Sequence, residues 1–306
     1  MRQGTTRLSG SFGQYALLDH RRRVVLPGLA SLALVCGWLG ARDARAADAP
    51  SVLEAQQSRL WLEGFVAPAP GVATLRLDGQ ILVHRHVAID FDLPAAFESP
   101  GYAHTPGILP AIGNIGVGAH YVGTFATGPR SGLAVMGGVS FNLPTSSTFA
   151  SAPGPVQVLQ SAALAESLYG LAAFVPATAF ARVHFDLEFG LHDWLSFRWG
   201  VGLLLAYPVS ESAAAAGVPA GVVSTGVESA AELEGKMPFG LRLGLRVVGA
   251  QSSTLSAAAV GLEPFVGFEM PKGPLFARLG VLMTEVELLE PTAYVAVVVR
   301  VGVVFR

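Results

Sequence analysis

The final fourteen residues of the chain, AYVAVVVRVGVVFR, alternate between two kinds of position. Every second residue from Val295 to Phe305 is large and apolar, and the residues between them are mixed and include Arg300. Because successive side chains of a β-strand point to opposite faces of the sheet, this pattern predicts a strand with one uniformly apolar face. A sheet with lipid outside and a polar lumen inside has such strands. Arg300 would then point into the lumen and away from lipid.

The same alternation recurs along most of the chain. In residues 181–191, 195–207, 241–248 and 275–283, charged side chains fall on one face and large apolar side chains on the other. We predict twelve strands, at 58–67, 71–77, 80–93, 112–123, 132–143, 178–191, 194–208, 222–235, 239–249, 258–270, 274–283 and 292–305. The predicted fold class is all-β, a transmembrane antiparallel up-and-down β-barrel of about twelve strands, within a range of roughly ten to fourteen.

The predicted connections alternate between tight turns and longer segments. Tight turns are expected at Asp78-Gly79, 124–131, His192-Asp193, 236–239 and 271–273. The other connections are mostly longer and fall at 68–70, 94–111, 144–177, 209–221, 250–257 and 284–291. Outer-membrane barrels have short periplasmic turns and longer outer loops, and an even strand number places both termini with the tight turns. The pattern therefore predicts that every tight turn lies on the periplasmic side.

Aromatic girdles are expected at the two rims of such a barrel. The outward-facing candidates are Phe91, Phe141 and Tyr207 near the outer ends of strands, and Tyr121, Phe189, Phe268 and Phe305 near the periplasmic ends. Arg85 breaks the pattern, because strict alternation from Ile81 to Leu93 directs it at lipid. A bulge near residues 84–86, or snorkelling of the side chain toward the nearer interface, would remove this conflict.

The longest connection, 144–177, contains the segment VLQSAALAESLYGLAAF, which is rich in Ala and Leu. Leu164, Leu168 and Leu171 have helical spacing, so we predict a short helix at the outer mouth of the barrel. An apolar loop of this length needs burial. The helix either folds inward as a constriction or lies across the rim, and the sequence leaves both arrangements open.

Composition agrees with a membrane barrel and adds an export signal. The 306 residues are 51% hydrophobic and only 14% charged, yet after the N-terminal segment no run reaches the ~18 apolar residues of a membrane helix. Three arginines at 21–23, an apolar run at 24–40 and Ala44-Arg45-Ala46 have the order of a secretory signal. We predict a cleaved signal peptide at 1–46, a periplasmic lead at 47–57 and the barrel at 58–306, in the bacterial outer membrane after export through the periplasm. A retained N-terminal anchor helix is the alternative.

Cysteine and charge content exclude several classes of function. Cys36 is the only cysteine and lies within the predicted signal, so the exported chain has neither a disulfide framework nor a thiol catalyst. After residue 46 the chain has 13 basic and 20 acidic residues, a net charge of −7. Without a basic patch, no nucleic-acid partner is expected.

Charged residues on the inward phase form a mixed set of arginines and carboxylates. The set consists of Arg76, Arg182, Arg198, Arg242, Arg246, Arg278, Arg300, Glu63, Asp90, Asp186, Glu188, Glu228, Glu232 and Glu263. Such charges either form a lattice of ion pairs that stiffens the barrel or line a pore and select solutes by charge. Both arrangements can hold together. Twelve strands fall between barrels filled by side chains and barrels with an aqueous channel, so strand number does not decide.

Histidines and catalytic motifs complete the candidate chemistry. His84 and His86 share the inward phase, with His120 on the next strand and His184 elsewhere in the ring. They are expected to be hydrogen-bonded lumen residues rather than metal ligands, and neither a metal nor a cofactor is predicted. No histidine is followed by Ser two residues later, and hydrolase, zinc-protease and phosphate-loop motifs are absent. The chain is therefore not predicted to be an enzyme, and a lipid-modifying outer-membrane enzyme is a remote alternative.

Three short segments resemble a known family. DFDLP (90–94), IGNIGVGAHYVGTF (112–125) and VMGGVSFNLPT (135–145) are similar, in this order, to outer-membrane transporters of the phenol meta-pathway type. The resemblance covers residues 80–145 by motif and the rest by architecture. It implies an outer-membrane location and uptake of small, rather apolar molecules, and it supplies no binding residues.

The C-terminal residues carry a second resemblance. Phe305 resembles the terminal aromatic residue that barrel-assembly machinery recognises, although Arg306 follows it. This resemblance implies that machinery, together with outer-membrane lipid, as a partner. The function expected from the sequence is a channel or transporter for small molecules. The alternative is a closed barrel with a structural or surface-interaction role.

Overall fold

The structure is a computed structural model that describes residues 57–68, 71–98, 110–128, 131–146, 153–166, 171–209, 223–252, 257–271, 273–287 and 291–305. The predicted signal peptide and all but the last residue of the predicted lead lie outside the described residues. The strands are β1 (Ser58–Ala67), β2 (Val72–His84), β3 (Val87–Glu98), β4 (Pro110–Ile112), β5 (Gly116–Gly128), β6 (Ser131–Asn142), β7 (Thr178–His192), β8 (Leu195–Pro208), β9 (Ser224–Lys236), β10 (Leu241–Ser252), β11 (Ala257–Glu269), β12 (Leu275–Glu287) and β13 (Pro291–Phe305). The helices are α1 (Pro153–Ala165) and α2 (Leu171–Phe174). Neither helix is long and apolar enough to cross a membrane.

The strands form one closed antiparallel barrel. Each long strand pairs with the next along the chain, and β1 closes the ring by pairing with β13, with Leu60 opposite Val303 and Glu63 opposite Arg300. The short β4 pairs only with the end of β3, so β5 is the next strand in the ring. The barrel wall therefore has twelve long strands, and the predicted fold class is confirmed.

The two faces of each strand differ as the sequence pattern predicts. Along β13, Val295, Val297, Val299 and Val301 are 39–52% exposed on the outside, whereas Tyr294, Ala296 and Val298 between them are at most 8% exposed. Arg300 is on the inner phase, where it pairs with Glu63. The arginine in the apolar run therefore lies inside the barrel, and the outer face of β13 is continuously apolar.

The predicted turn at Asp78-Gly79 is wrong. β2 continues through both residues to His84, and the chain turns at Arg85-His86. Asp-Gly is a strong hairpin signal, but here Gly79 lies opposite Phe91, and a side chain at Gly79 would clash with the phenyl ring. The glycine thus makes room for an aromatic residue on the neighbouring strand. Gly79 itself has the extended conformation of a strand and does not form a turn.

The true turn settles the position of Arg85. The β2–β3 pairing shifts register between Leu82 and His84, and Arg85 follows as an exposed turn residue. The predicted direction toward lipid assumed unbroken alternation from Ile81 to Leu93, and the turn interrupts that alternation at Arg85. The expected bulge is present between Leu82 and His84, and the charged side chain of Arg85 lies just beyond the end of β2 rather than within a strand.

Connections on the two rims of the barrel differ in length. One rim, called here the turn rim, is formed by the starts of β1, β3, β6, β8, β10 and β12 and the ends of β2, β5, β7, β9, β11 and β13. The opposite rim, called here the loop rim, is formed by the other ends of these strands. The three connections of more than about ten residues, 99–115, 143–177 and 209–223, start and end there. The predicted alternation in length therefore holds only in part, because the loop-rim connections 68–71, 253–256 and 288–290 are as short as the turns.

The longest connection folds into the barrel at the loop rim. Val158, Leu159 and Ala162 of α1 and Phe174 at the end of α2 are at most 1% exposed. They belong to one apolar cluster with inward-facing residues from strands around the ring, namely Phe65, Val72, Ala96, Phe180, Leu204, Val248, Ala259, Leu282, Tyr294 and Val298. Of the two arrangements left open by the sequence, the inward one is found. We call α1, Glu166 and α2 the plug.

Small side chains explain why this helix fits the bore. α1 begins at Pro153, which is favourable in the first turn, and its inward surface is mostly alanine and valine. An alanine-rich helix is narrow enough to enter a twelve-stranded barrel without displacing the wall. The predicted helical residue Leu168 lies outside the described residues, and the Leu164 side chain is likewise not described.

A charge on the outer face should destabilise the barrel in a depth-dependent way. Leu279 and Leu275 on β12 are equally exposed, at 48% and 49%, but Leu275 begins the strand and Leu279 lies one third of the way along it. In lipid vesicles, Leu279→Arg should lower the free energy of unfolding by about 2–4 kcal/mol and Leu275→Arg by about 0–1 kcal/mol. Urea titration of the two variants measures the difference. Equal losses would show that this face does not lie in hydrocarbon.

Candidate functional site: the interior of the barrel

The barrel interior has an apolar layer at the loop rim and a charged layer beneath it. All fourteen charges predicted for the lumen line an internal cavity or form an ion pair there: Arg76, Arg182, Arg198, Arg242, Arg246, Arg278, Arg300, Glu63, Asp90, Asp186, Glu188, Glu228, Glu232 and Glu263. Period-two alternation places them on one face of each strand. A role of these residues in selecting solutes is a separate expectation.

The plug is anchored to the barrel wall by polar contacts at the end of α1. Thr74 of β2 donates a hydrogen bond to the Glu166 carboxylate, and the Tyr294 hydroxyl of β13 donates to the Ala165 carbonyl. Arg76 Nη1 lies 3.8 Å from Glu166 Oε2. These contacts satisfy part of the polar end of a helix that is otherwise surrounded by apolar side chains, and they fix its depth in the bore.

A second set of hydrogen bonds fastens α2. The Asn114 side-chain amide donates to the carbonyls of Ala172, Val175 and Thr178 at 2.8–3.2 Å, and its oxygen accepts from the Ser146 hydroxyl at 2.6 Å. Asn114 is fully buried. One side chain thus satisfies four polar groups of a connection that crosses the interior.

Burial raises the pKa of the Glu166 carboxyl to about 7, because the residue is only 1% exposed and the charged form is poorly solvated. Arg76 and the hydrogen bond from Thr74 oppose this rise, and the neighbouring Glu63 and Asp78 carboxylates add to it. The plug therefore carries a carboxyl group that changes charge near neutral pH, at the point where the plug meets the wall.

Beneath the plug, arginines and carboxylates pair both along the wall and across strands that are not neighbours. Arg300 pairs with Glu63 on the adjacent strand. Arg278 of β12 reaches Glu232 of β9 at 2.9 Å, and Arg278 also lies 3.3 Å from the fully buried Glu263. Pairs of this kind hold strands together across the bore, as the ion-pair interpretation of the sequence expects.

The sequence prediction missed several interior charges. They are Arg59, Asp78, Asp92, Glu166, Glu234, Lys236 and Glu269. Asp78 was assigned to a turn that does not exist, and Glu166 lies in a loop whose inward course the sequence left open. The other five follow the same alternation as the predicted charges. Arg59, Asp92, Glu234 and Glu269 lie within predicted strands, and Lys236 lies one residue beyond the end of one, so the pattern itself was sufficient to find them.

Three cavities lie among these charges. The largest, about 330 Å³, lies directly below α2 and is lined by Leu171, Ala172 and Ala173 of the plug. Two others, of about 230 and 200 Å³, lie among the arginines closer to the turn rim. Met136 lines all three, so one flexible side chain separates spaces that together run along the bore.

Two histidines face each other in the largest cavity. His120 Nδ1 lies 2.6 Å from Asp90 Oδ2, and the His120 and His184 rings are 6.0 Å apart in an edge-to-face arrangement. Gly138 on the strand between them makes this possible, because a Cβ there would lie 2.4 Å from the Cβ of His120. His120 and His184 are thus brought together as a pair.

His84 and His86 lie elsewhere, contrary to the sequence expectation. His84 is exposed at the end of β2, and His86 stacks on Tyr121 at 5.5 Å beside the β2–β3 turn. The displaced turn moves both out of the inward phase. Within the described ranges, no group of three or more His, Cys, Asp or Glu residues is arranged to hold a metal ion.

The predicted girdle residues are exposed or half-buried. Phe141, Tyr207, Tyr121, Phe268 and Phe305 are 44–58% exposed, and all but Tyr121 lie within two residues of a strand end. Tyr121 is level with Val87 at the β2–β3 turn, although β5 itself continues to Gly128. Phe189 is half-buried beside Phe197.

Phe91 departs from the expected height. Because β3 runs from Val87 to Glu98, Phe91 is its fifth residue and lies far from the loop rim. The sequence interpretation had ended this strand at residue 93, which is why Phe91 was expected near the outer end. The interfacial role of the other six residues stays a prediction.

The close approach at Gly138 gives a sharp test of the interior packing. Gly138→Ala should lower the free energy of unfolding by about 1–3 kcal/mol, because the new Cβ meets both His120 and the Ala119 carbonyl within 2.5 Å. Gly64→Ala is the matched control, since no atom lies within 4 Å of a Cβ at that strand position. Urea unfolding of both variants measures the difference, and equal stabilities would contradict the described contact.

No protein-family model matches the sequence, and no curated protein matches it. Solved structures with a similar fold are bacterial outer-membrane proteins. An outer membrane channel from Pseudomonas putida F1 superposes with a TM-score of 0.52 at 9% identity, over 85% of this chain and 100% of that one. The KdgM porin gives 0.44 at 7% identity, over 81% and 99%. The Pseudomonas putida toluene transporter TodX gives 0.33 at 8% identity, over 81% and 88%. At these identities the likeness concerns the fold alone, and only the first of the three TM-scores exceeds 0.5.

Proposed function

We propose that the protein is an outer-membrane channel for small molecules, in which the plug closes the bore at the loop rim. The observation that carries this proposal is the way the bore is closed. At the loop rim it is blocked by a connection between β6 and β7, not by the side chains of the wall alone. Below the plug, the wall leaves three adjoining cavities. Movement of one connection would therefore open the bore at the loop rim and expose these cavities.

The fold and the sequence both support this proposal. The solved structure that shares the fold at a TM-score of 0.52 is an outer membrane channel, and residues 80–145 resemble transporters of the phenol meta-pathway type. We include that family type in the proposal, together with export through the periplasm and a periplasmic turn rim. The family implies small, rather apolar solutes, whereas the cavities below the plug are lined by charged residues. The solute is therefore expected to be small and to carry polar groups.

A closed structural barrel is the second candidate, and a specific observation favours it. Ion pairs such as Arg278–Glu232 connect strands that are not adjacent, and they would have to part or stay at the wall for a solute to pass. Such a barrel would use its loop rim for surface contacts and would conduct no ions.

Planar-bilayer recording of the refolded full chain tests the two candidates. The channel should show discrete current steps that are brief and rare, because the plug is packed in its closed position. If recordings of the full chain show no current steps at any applied voltage, that result by itself favours the structural barrel. If a variant that lacks α1 is also silent although correctly inserted, the channel proposal is wrong.

A further inference from the structure

We propose that the cavity below α2 is a binding site for small organic cations that carry N–H donors. This inference deepens the proposed function, because it names the class of solute that would occupy the bore, but binding can be measured without any conduction. We call the space of about 330 Å³ the acidic cavity. This volume is within the range of ordinary small-molecule binding sites.

Charge distinguishes the acidic cavity from the other two. Five carboxylates and two arginines line it: Asp78, Asp90, Asp92, Asp186 and Glu228, with Arg76 and Arg182. With neutral histidines its lining carries a net charge of −3. Arginines outnumber carboxylates five to three and four to two in the other two cavities. A cation would therefore be attracted to one place in the bore and repelled from the rest.

The two arginines of the acidic cavity are engaged by other carboxylates. Arg76 lies 3.2 Å from Asp78 and 3.0 Å from Asp92, and Arg182 pairs with Glu228. Asp90 and Asp186 have only a histidine as an ion-pair partner in the described part of the chain. Their side chains are 33% and 35% exposed, so both carboxylates are accessible.

Buried histidine nitrogens provide the second, independent sign of a ligand. His120 and His184 side chains are 6% and 10% exposed. Among the described residues, His120 Nε2 and His184 Nδ1 are buried and have no hydrogen-bond partner. A buried polar atom without a partner is costly. The arrangement invites a ligand that completes these bonds.

The orientation of His120 defines what that ligand must provide. In the neutral ring, the Nδ1 that faces Asp90 carries the proton and donates it, so Nε2 is left as an acceptor. An acceptor nitrogen beside the accessible Asp90 carboxylate, in a lining of net negative charge, suits an ammonium or guanidinium group, which donates several hydrogen bonds and carries a positive charge. A carboxylate or phosphate ligand offers neither donor nor suitable charge.

Trp61 extends the site with an aromatic surface. It lines the acidic cavity from β1, on the inner phase of the strand. The face of an indole ring attracts cations, and its area packs against a flat apolar group. A small aromatic ammonium compound therefore matches the charge, the hydrogen bonds and the lining together.

Three probes with one ring and different charges test this inference. Benzylammonium, benzyl alcohol and benzoate are titrated at pH 8 into the full chain in detergent micelles, with isothermal titration calorimetry as the readout. Benzylammonium should bind at least roughly tenfold more tightly than either of the others, which corresponds to one decade in Kd. Equal affinities, tighter binding of benzoate, or no heat with benzylammonium would each overturn the proposal.

Substitutions locate the site. Asp90→Asn and Asp186→Asn should each weaken benzylammonium binding by roughly tenfold, since each removes one of the accessible charges. Glu285→Gln makes the same chemical change on the exposed outer face of β12 and should leave affinity unchanged. If Glu285→Gln weakens binding as much as the aspartate variants, binding is a non-specific charge effect and the site does not exist. The comparison of probes on the unaltered chain stands even where a variant fails to fold.

Failure of this inference and failure of the channel are separate results. A protein that binds benzylammonium but stays electrically silent, both as the full chain and without α1, keeps the site and loses the channel. A protein that conducts but binds none of the three probes keeps the channel and loses the site.

Discussion

Leu159→Glu is expected to convert a mostly closed barrel into a persistently open one at pH 8. Leu159 is completely buried within the apolar layer, and a glutamate there would place an unpaired charge among apolar side chains. Such burial costs several kcal/mol, whereas moving a closed-to-open ratio from 99:1 to 1:99 needs about 5.5 kcal/mol. The plug should therefore leave its seat, and the fraction of time in the open state should rise by roughly ten- to a hundredfold.

Gln157→Glu is the matched control for this experiment. It introduces the same carboxylate two residues earlier on α1, at a position that is exposed, and should leave the current unchanged. Replacement of α1 by a Gly-Ser linker of equal length gives the upper limit of conductance. If the Leu159→Glu and linker variants insert normally and conduct no more than the full chain, the plug does not control the bore.

Rising pH should also loosen the plug, through Glu166. The pKa of this carboxyl is about 7 in the packed plug and near its ordinary value of 4.5 once the plug is hydrated. The packed state therefore prefers the protonated group, so its stability falls as pH rises above the ordinary value and levels off above about 7. The full difference corresponds to roughly 3 kcal/mol. Open probability should increase by roughly ten- to a hundredfold between pH 5 and pH 8.

Glu166→Gln isolates this effect from the other interior carboxylates. The amide oxygen still accepts the hydrogen bond from Thr74, but it cannot ionise. Single-channel recordings of this variant should show an open probability that no longer rises through pH 7. The same pH dependence in Glu166→Gln and in the original chain would assign the titration to another group, and Glu63 and Asp78 are two interior carboxylates that act on Glu166.

The wall of the barrel was predictable because its sequence rule is local. Apolar and mixed positions alternate without interruption along β11 and β13. The inner and outer faces of these strands, and the inward direction of Arg300, could therefore be predicted from each strand alone. Period two also placed the predicted charges correctly on each strand. Height along the strand was less certain, because the same alternation continues beyond each end that was assigned. The misplaced height of Phe91 is an error of strand length, because β3 continues to Glu98 beyond the end predicted at residue 93.

The errors arose where a distant residue decides the local conformation. Asp78-Gly79 has the sequence of a tight turn, but Phe91 on the next strand occupies the space above the glycine and keeps β2 extended. That pairing moves the turn to Arg85-His86 and removes two histidines from the interior. No pattern within β2 contains this information.

The plug was predictable as a helix but not as a plug. Its alanine-rich segment has helical spacing, yet the inward course depends on contacts with Thr74 and Tyr294, which lie far away in the sequence. The pairing of His120 with His184 likewise needs Gly138 on an intervening strand. Sites built across several strands become visible only once the register of the barrel is known.

The most direct test of the account is a photo-cross-linking experiment from the inner face of β13. Tyr294 points inward and contacts Ala165, whereas its neighbour Val295 is 52% exposed on the outer face. With p-benzoylphenylalanine at position 294, illumination of the folded full chain should join β13 to the peptide that contains residues 153–166, and the same group at 295 should not. Capture of this peptide from 294 alone is the predicted result. Equal capture from both positions, or none from 294, would show that the helix lies outside the bore.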